Sequence, residues 1–154
     1  MEKYSAKLSW QRGEEDFLDK RYSRAHTWQF DGGAVVPASS SPHVIPVPMS
    51  DPHGVDPEEA FIASISSCHM LWFLALAAKH RWRVDSYEDQ PTGEMGKDTD
   101  GKTSVQRVTL QPRTVFSGEK QPTWDEIEKL HHEAHDLCFI ANSVKSEIRV
   151  QPQA

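Results

Sequence analysis

The chain has 154 residues, with 17 Lys and Arg against 23 Asp and Glu and a formal charge of −6 at pH 7. That length fits one domain, residues 1–154, able to bury a core without covalent staples. Two cysteines exclude a disulfide-scaffold secreted domain and any all-cysteine zinc or iron–sulfur centre within one chain. The acidic balance argues against a general nucleic-acid binder, which needs a basic face.

The N-terminal residues Met1 to Lys7 lack the apolar core of a signal peptide. The most apolar run, Met70 to Ala78, stops at Lys79, His80 and Arg81, and falls short of the roughly 20 residues that span a bilayer. The expectation is a cytoplasmic protein with neither membrane nor nucleic acid as a partner.

Tyr4 to Gln11 alternates weakly and predicts a strand. Tyr22 to Phe30 predicts a second, whose period of two places Tyr22, Arg24, His26, Trp28 and Phe30 on one face. Asp31-Gly32-Gly33 turns the chain, and Val35 and Val36 start a short third strand. Residues 37–57 hold six of the ten prolines, which predicts an irregular loop serving as a lid or wall beside a site.

Asp56 reads as an N-cap, with Pro57 at the first helical position and Glu59 completing a capping box. The helix should run to about His80. Between Ala60 and Ala78 its only polar residues are Ser64, Ser66, Ser67 and His69. A helix apolar on every side must be buried on every side. One sheet covers one face, so a second subunit is the economical cover for the other.

Trp82 to Asp89 predicts a strand, followed by a hairpin around Asp100-Gly101 and a strand over Thr103 to Gln111. Thr123 to Glu126 fits a second capping box, opening a helix with Trp124, Ile127, Leu130, Ala134 and Leu137 at helical spacing. Ser146 to Val150 closes the chain with a strand. Strands and helices without a regular βαβ period predict α+β.

Gly96 to Thr103 matches G-x-x-x-x-G-K-T letter for letter. A phosphate cradle must feed a helix N-terminus, whereas Ser104 to Leu110 reads as a strand and Asp98 and Asp100 would repel polyphosphate. A hairpin turn is the better reading. His131, His135 and Cys138 stand at i, i+4 and i+7 on one helix face, a spacing able to ligate zinc. The H-E-x-x-H signature is absent, and histidines on a charged face are more often solvated, so zinc is kept as the alternative.

Cys68 sits in the apolar helix with Ser64, Ile65, Leu71 and Trp72 one turn away, and Cys138 near the end of the second helix. Taken alone, each reads as a small buried hydrophobe. Val55-Asp56-Pro57-Glu58-Glu59, with Cys68 ten residues after Glu58, changes this. The stretch resembles the central helix of the OsmC/Ohr family, whose pattern is N-P-E-[EQ] with a cysteine ten residues after the first Glu. Asp56 stands for the Asn. The family's second cysteine, in a C-P-x-S/A-N setting, resembles Cys138 to Asn142, with Phe139 in place of proline. The loop at 37–57 points to a third branch, neither the osmotically inducible nor the hydroperoxide-resistance one.

The resemblance implies an OsmC-like α+β fold, an antiparallel sheet packed around a long buried central helix in an entwined homodimer. It implies a thiol peroxidase reducing organic hydroperoxides, with Cys68 peroxidatic, Cys138 resolving through a Cys68–Cys138 disulfide, and Glu58 supporting a catalytic arginine. No bound cofactor is implied; an external dithiol, such as a lipoyl group, reduces the disulfide. A non-catalytic dimer binding an apolar ligand is a further alternative.

Burial opposes thiolate formation, and Cys68 lies too far into the helix for its dipole to help. A cation is therefore required, and it would also stabilise a developing alkoxide. Arg24 is first choice and Arg12 second. Glu58 and Cys68 are separated by about 15 Å along a continuous helix and about 80° around it. Either the helix breaks near Ser64–Ser67, an arginine bridges the gap, the site mixes subunits, or Glu58 serves only the helix start. His69 is a minor candidate for tuning Cys68.

Overall fold

The computed structural model describes residues 1–154. Its contacts divide the chain into two compact units, Met1–Ala60 and Phe61–Ala154.

The first unit is a three-stranded antiparallel sheet in the order β1-β2-β3, from Ala6–Ser9, His26–Phe30 and Val35–Ala38. Leu8 stands opposite Trp28, and Trp28 opposite Val36, so these three share a face. Strand β2 starts at His26, later than the alternation from Tyr22 predicts. Pairing with β1 ends at Ser9 and Thr27, and the Arg24 N–H donates to the Met49 carbonyl at 2.8 Å. Arg24 therefore lies in an irregular segment tied to the proline-rich loop, and does not share a strand face with His26, Trp28 and Phe30.

That loop is closed by a bridge between Ala38 and Val55. A Cβ at Gly54 would stand 2.9 Å from the Ala38 carbonyl carbon, so this approach needs glycine. Buried residues in the first unit are Ala38, Ser39, Ser41 and Ser50, and only Ala38 is apolar. Leu8 (64% exposed), Phe17 (46%) and Val35 (57%) remain open, so this unit has no hydrophobic core of its own.

Helix α1, Pro57–Lys79, opens with the expected capping box: the Glu59 N–H donates to Asp56 Oδ1 at 2.8 Å, and the Asp56 N–H to Glu59 Oε1 at 2.9 Å. It runs unbroken, which removes a break at Ser64–Ser67. At 23 residues it is long and apolar enough to cross a bilayer; the shorter Met70–Ala78 run understated it. Ile65, His69, Phe73, Leu76 and Ala77 are buried at helical spacing. Leu71 is 60% exposed, and Ala63, Ser64, Ser67, Ala75 and Ala78 lie open with it. One chain thus covers one side of α1 and leaves the other bare.

In the second unit, β4 (Arg83–Glu88) pairs antiparallel with β7 (Arg113–Ser117), while β5 (Thr92–Lys97), β6 (Thr103–Leu110) and β8 (Glu147–Val150) form a sheet. Pairing is antiparallel except between β6 and β8, which is parallel. Strand β7 lies beyond what the sequence predicted: flanked by Pro112 and Gly118, it is fixed by its register with β4. The Gly96–Thr103 stretch is a hairpin turn, in which Asp98 Oδ1 accepts the N–H groups of Asp100 and Lys102, each at 2.9 Å. Helix α2, Trp124–Leu137, carries both hydrogen bonds of the Thr123–Glu126 capping box.

Two apolar clusters form the core of this unit. Phe73, Leu76, Ala77, Trp82, Leu130 and Ala134 make one, and Ile65, Val108 and Leu110 the other. Helix α1 contributes to both, and Cys68 and His69 lie on it between their contact points.

Candidate active site

Both cysteines are free thiols; Cys68 is partly buried, whereas Cys138 is 1% exposed. Cys138 follows the last residue of α2, where its N–H caps the helix through the His135 carbonyl. Its Sγ accepts the Ala141 N–H at 3.4 Å and faces the Ile65 carbonyl at 4.0 Å. Cys68 is the neighbouring thiol, near enough to act on the titration of Cys138. Burial pushes the Cys138 thiol up to about 11; the Ala141 N–H opposes this in part, and the Cys68 thiol adds to it. Cys138 is therefore a neutral thiol at pH 7. Trp72 and Phe139 meet edge to face, with centroids 5.4 Å apart, joining α1 to the residue after Cys138.

The other expected site residues lie in the first unit. Arg24 gives Nη1 to the carbonyls of Lys20 and Tyr22, at 2.9 and 2.5 Å, and its guanidinium lies 3.7 Å from the Tyr22 ring centroid. Arg12 donates to the Glu15 carbonyl. Glu58 stands in the first turn of α1 with Oε2 buried and without a hydrogen-bond partner. Within the chain, Arg24 and Glu58 are not ion-paired. The structure thus gathers the two sulfurs and leaves both the carboxylate and the cation free of each other. An unpartnered buried carboxylate oxygen is a place for a donor to arrive.

The zinc alternative does not fit. No group of three His, Cys, Asp or Glu side chains is placed to hold a metal ion. His131, expected to be solvated, is 2% exposed, and its Nδ1 hydrogen-bonds His69 Nε2 at 3.0 Å. The two rings are coplanar within 4°, and His131 stacks on Phe73 at 4.2 Å. This pair was not legible beforehand. Its one signal was His69, four residues from both Ile65 and Phe73 on the buried stripe of α1.

Burial lowers His69 to about 4, with His135 adding a smaller effect, and lowers His131 to about 3, with His69 adding one. Both rings are neutral at pH 7. The facing groups are His135 on α2 and Tyr87 on β4, whose ring lies 6.3 Å from that of His131. In the unfolded chain both histidines take up a proton near pH 6.5. Stability linked to the pair is therefore complete above pH 6.5 and drains as pH falls toward 4, at about 1.4 kcal/mol per pH unit for each histidine. Urea midpoints at fixed protein concentration should fall steadily over that window. A flat profile from pH 6.5 to 4.5 would contradict the neutral buried pair.

Fold and site together are those of an α+β protein carrying a reduced dithiol at a helix–helix contact. A family profile described as OsmC-like protein matches residues 50–153, and the chain belongs to that family. A solved OsmC-like protein of unknown function from Vibrio cholerae O1 biovar eltor str. N16961 is 55% identical, with a TM-score of 0.98 over 99% of this chain and 100% of that one. The fold is also shared with an organic hydroperoxide resistance protein from Elizabethkingia anophelis, at 16% identity, TM-score 0.70 and coverage of 99% and 94%. The organic hydroperoxide resistance protein OhrB of Bacillus subtilis is similar at 18% identity and TM-score 0.66, covering 97% and 98%. No curated protein matches the sequence.

Proposed function

We propose that the protein is a homodimeric thiol peroxidase that reduces organic hydroperoxides. The observation carrying this reading is the pair of neighbouring thiols, of which one is partly exposed and the other buried and neutral. A peroxide can reach Cys68 and not Cys138.

The Cys68 thiolate attacks the distal oxygen of ROOH. An S–O bond forms, the O–O bond breaks, and the alkoxide leaves as ROH after taking a proton, giving Cys68–SOH. Cys138 then attacks the Cys68 sulfur; an S–S bond forms and the oxygen leaves as water. An external dithiol exchanges with this disulfide, restores both thiols and leaves as its own disulfide. Placing both thiols in one chain makes the second step intramolecular, and so protects Cys68 from overoxidation.

A cation beside Cys68 would stabilise the leaving alkoxide, and Arg24, with no carboxylate partner, is the residue proposed to supply it. Glu58 would orient that guanidinium. The relatives named for hydroperoxide resistance support this choice of substrate, although the likeness to them is one of fold alone.

The test is a titration of reduced protein with one equivalent of cumene hydroperoxide, followed by non-reducing intact mass and peptide mapping. The expected product is about 2 Da lighter and carries a Cys68–Cys138 cross-link, because a disulfide forms with loss of two hydrogens. Two thiols unconsumed after peroxide treatment would refute the proposal.

A further inference from the structure

A cavity of about 330 Å³ opens in the second unit between α2 and β8, a size suited to a small organic ligand. Ile148 and Val150 of β8, with Pro152 beyond it, supply an apolar wall. Glu128, His131 and His135 of α2 supply a polar wall; their spacing of i, i+3 and i+7 aligns them on one helix face. None of these side chains takes part in the dithiol site or in the bare side of α1.

Two ring nitrogens of the polar wall are unspent. His131 is 2% exposed, yet its Nε2 has no hydrogen-bond partner, and neither has the buried Nδ1 of His135. Leaving such atoms unpaired is costly, so a ligand that pairs them gains affinity. His131 Nδ1 is already taken by His69 Nε2, at 3.0 Å. In a neutral ring one nitrogen donates and the other accepts. When His131 gives its Nδ1 proton to His69, its Nε2 is an acceptor. Burial holds His131 neutral, so it lends no positive charge to an anion. The formal charge of this wall is the exposed Glu128 carboxylate, to which no cation is paired. His132, also in the lining, has Nε2 3.8 Å from Asp136 Oδ2, so a positive charge there meets a carboxylate of its own. A carboxylate and two ring nitrogens able to accept call for a cation carrying several N–H groups. The three groups are not placed to share a metal ion. An ammonium makes looser demands, because it has three protons to give and reaches acceptors over about 3 Å.

We propose that this cavity binds a primary ammonium with a small apolar body, an aryl- or alkylamine. Its three N–H groups go to the Glu128 carboxylate, His131 Nε2 and His135 Nδ1, and its body lies along Ile148, Val150 and Pro152. Binding then fixes the tautomers of the buried pair. His131 keeps its proton on Nδ1, His69 accepts it at Nε2, and His69 carries its own proton on Nδ1. The site stands on the geometry of α2 and β8 and does not rest on peroxide chemistry, so binding is measured on the reduced full-length protein without peroxide.

The experiment is calorimetric titration near pH 7 with benzylamine, its uncharged counterpart benzyl alcohol, and benzoate. Losing a hydrogen bond to a charged group weakens binding by about tenfold or more. Benzylamine should therefore bind at least tenfold tighter than the alcohol, with benzoate weaker still, and Glu128→Gln should remove most of the difference between amine and alcohol. His135→Ala should weaken the amine severalfold. Both variants are checked by circular dichroism, and His131, packed in the core, is left unchanged. It is read instead by long-range proton–nitrogen correlation of its ring, which should show the single Nδ1–H tautomer once benzylamine saturates the protein. No binding of benzylamine, equal affinity for amine and alcohol, a preference for benzoate, unchanged affinity in the folded variants, or a His131 ring that does not respond to the amine would each overturn the proposal.

Discussion

Replacing Cys68 by Ser should abolish organic-hydroperoxide consumption, a fall of roughly a thousandfold or more, because a serine hydroxyl is no substitute for a thiolate attacking an O–O bond. Cys138→Ser should behave differently. Its first turnover should remain, since Cys138 is 1% exposed and neutral and the proposed attack belongs to Cys68. The Cys68 sulfenic acid then has no neighbouring sulfur and accumulates, or climbs to the sulfinic acid under excess peroxide. Single-turnover peroxide consumption, followed by dimedone trapping and intact mass, separates the two variants. Equal loss of the first turnover in both would assign the attack wrongly, and wild-type rates in Cys68→Ser would end the peroxidase proposal.

The second large effect is expected at Leu71→Asp. Leu71 is 60% exposed on the side of α1 that the chain leaves bare, beside Ala63, Ser64, Ser67, Ala75 and Ala78. The first unit, meanwhile, buries a single apolar residue, Ala38. A second copy of the chain is the proposed cover for such surface. Losing the burial of one leucine costs about 1.5–3 kcal/mol, and desolvating a carboxylate adds more. The dimer dissociation constant should therefore rise by roughly a hundredfold or more, with a lower and concentration-dependent unfolding midpoint. Sedimentation velocity across a dilution series measures this. A wild-type protein that stays monomeric at high micromolar concentration would remove the dimer, and with it the account of the bare helix side.

Much of the architecture was legible because local chemistry specified it. Asp56-Pro57 with Glu59, and Thr123 with Glu126, satisfy orphan helix donors through neighbouring side chains alone, and both boxes close as the spacing demands. The Asp98–Lys102 turn, which overrode a nucleotide-binding pattern, is local in the same sense. Strand β7 and the late start of β2 were not legible, because a strand needs a partner and its register is a property of the pair. Parallel pairing of β8 with β6 joins residues about 40 positions apart in the chain, as in the register of Arg107 with Glu147.

The sequence by itself determined the family, the two helices with their ends, and the two positions where sulfur chemistry is possible. Each of these depends on residue type and short spacing. Tertiary structure decided which thiol is reachable and which is neutral, since exposure and desolvation belong to the packed state. It also decided that His131 pairs with His69 instead of a metal: a hydrogen bond between residues 62 positions apart exists only once α1 and α2 are packed, and burial then strips both rings of their charge.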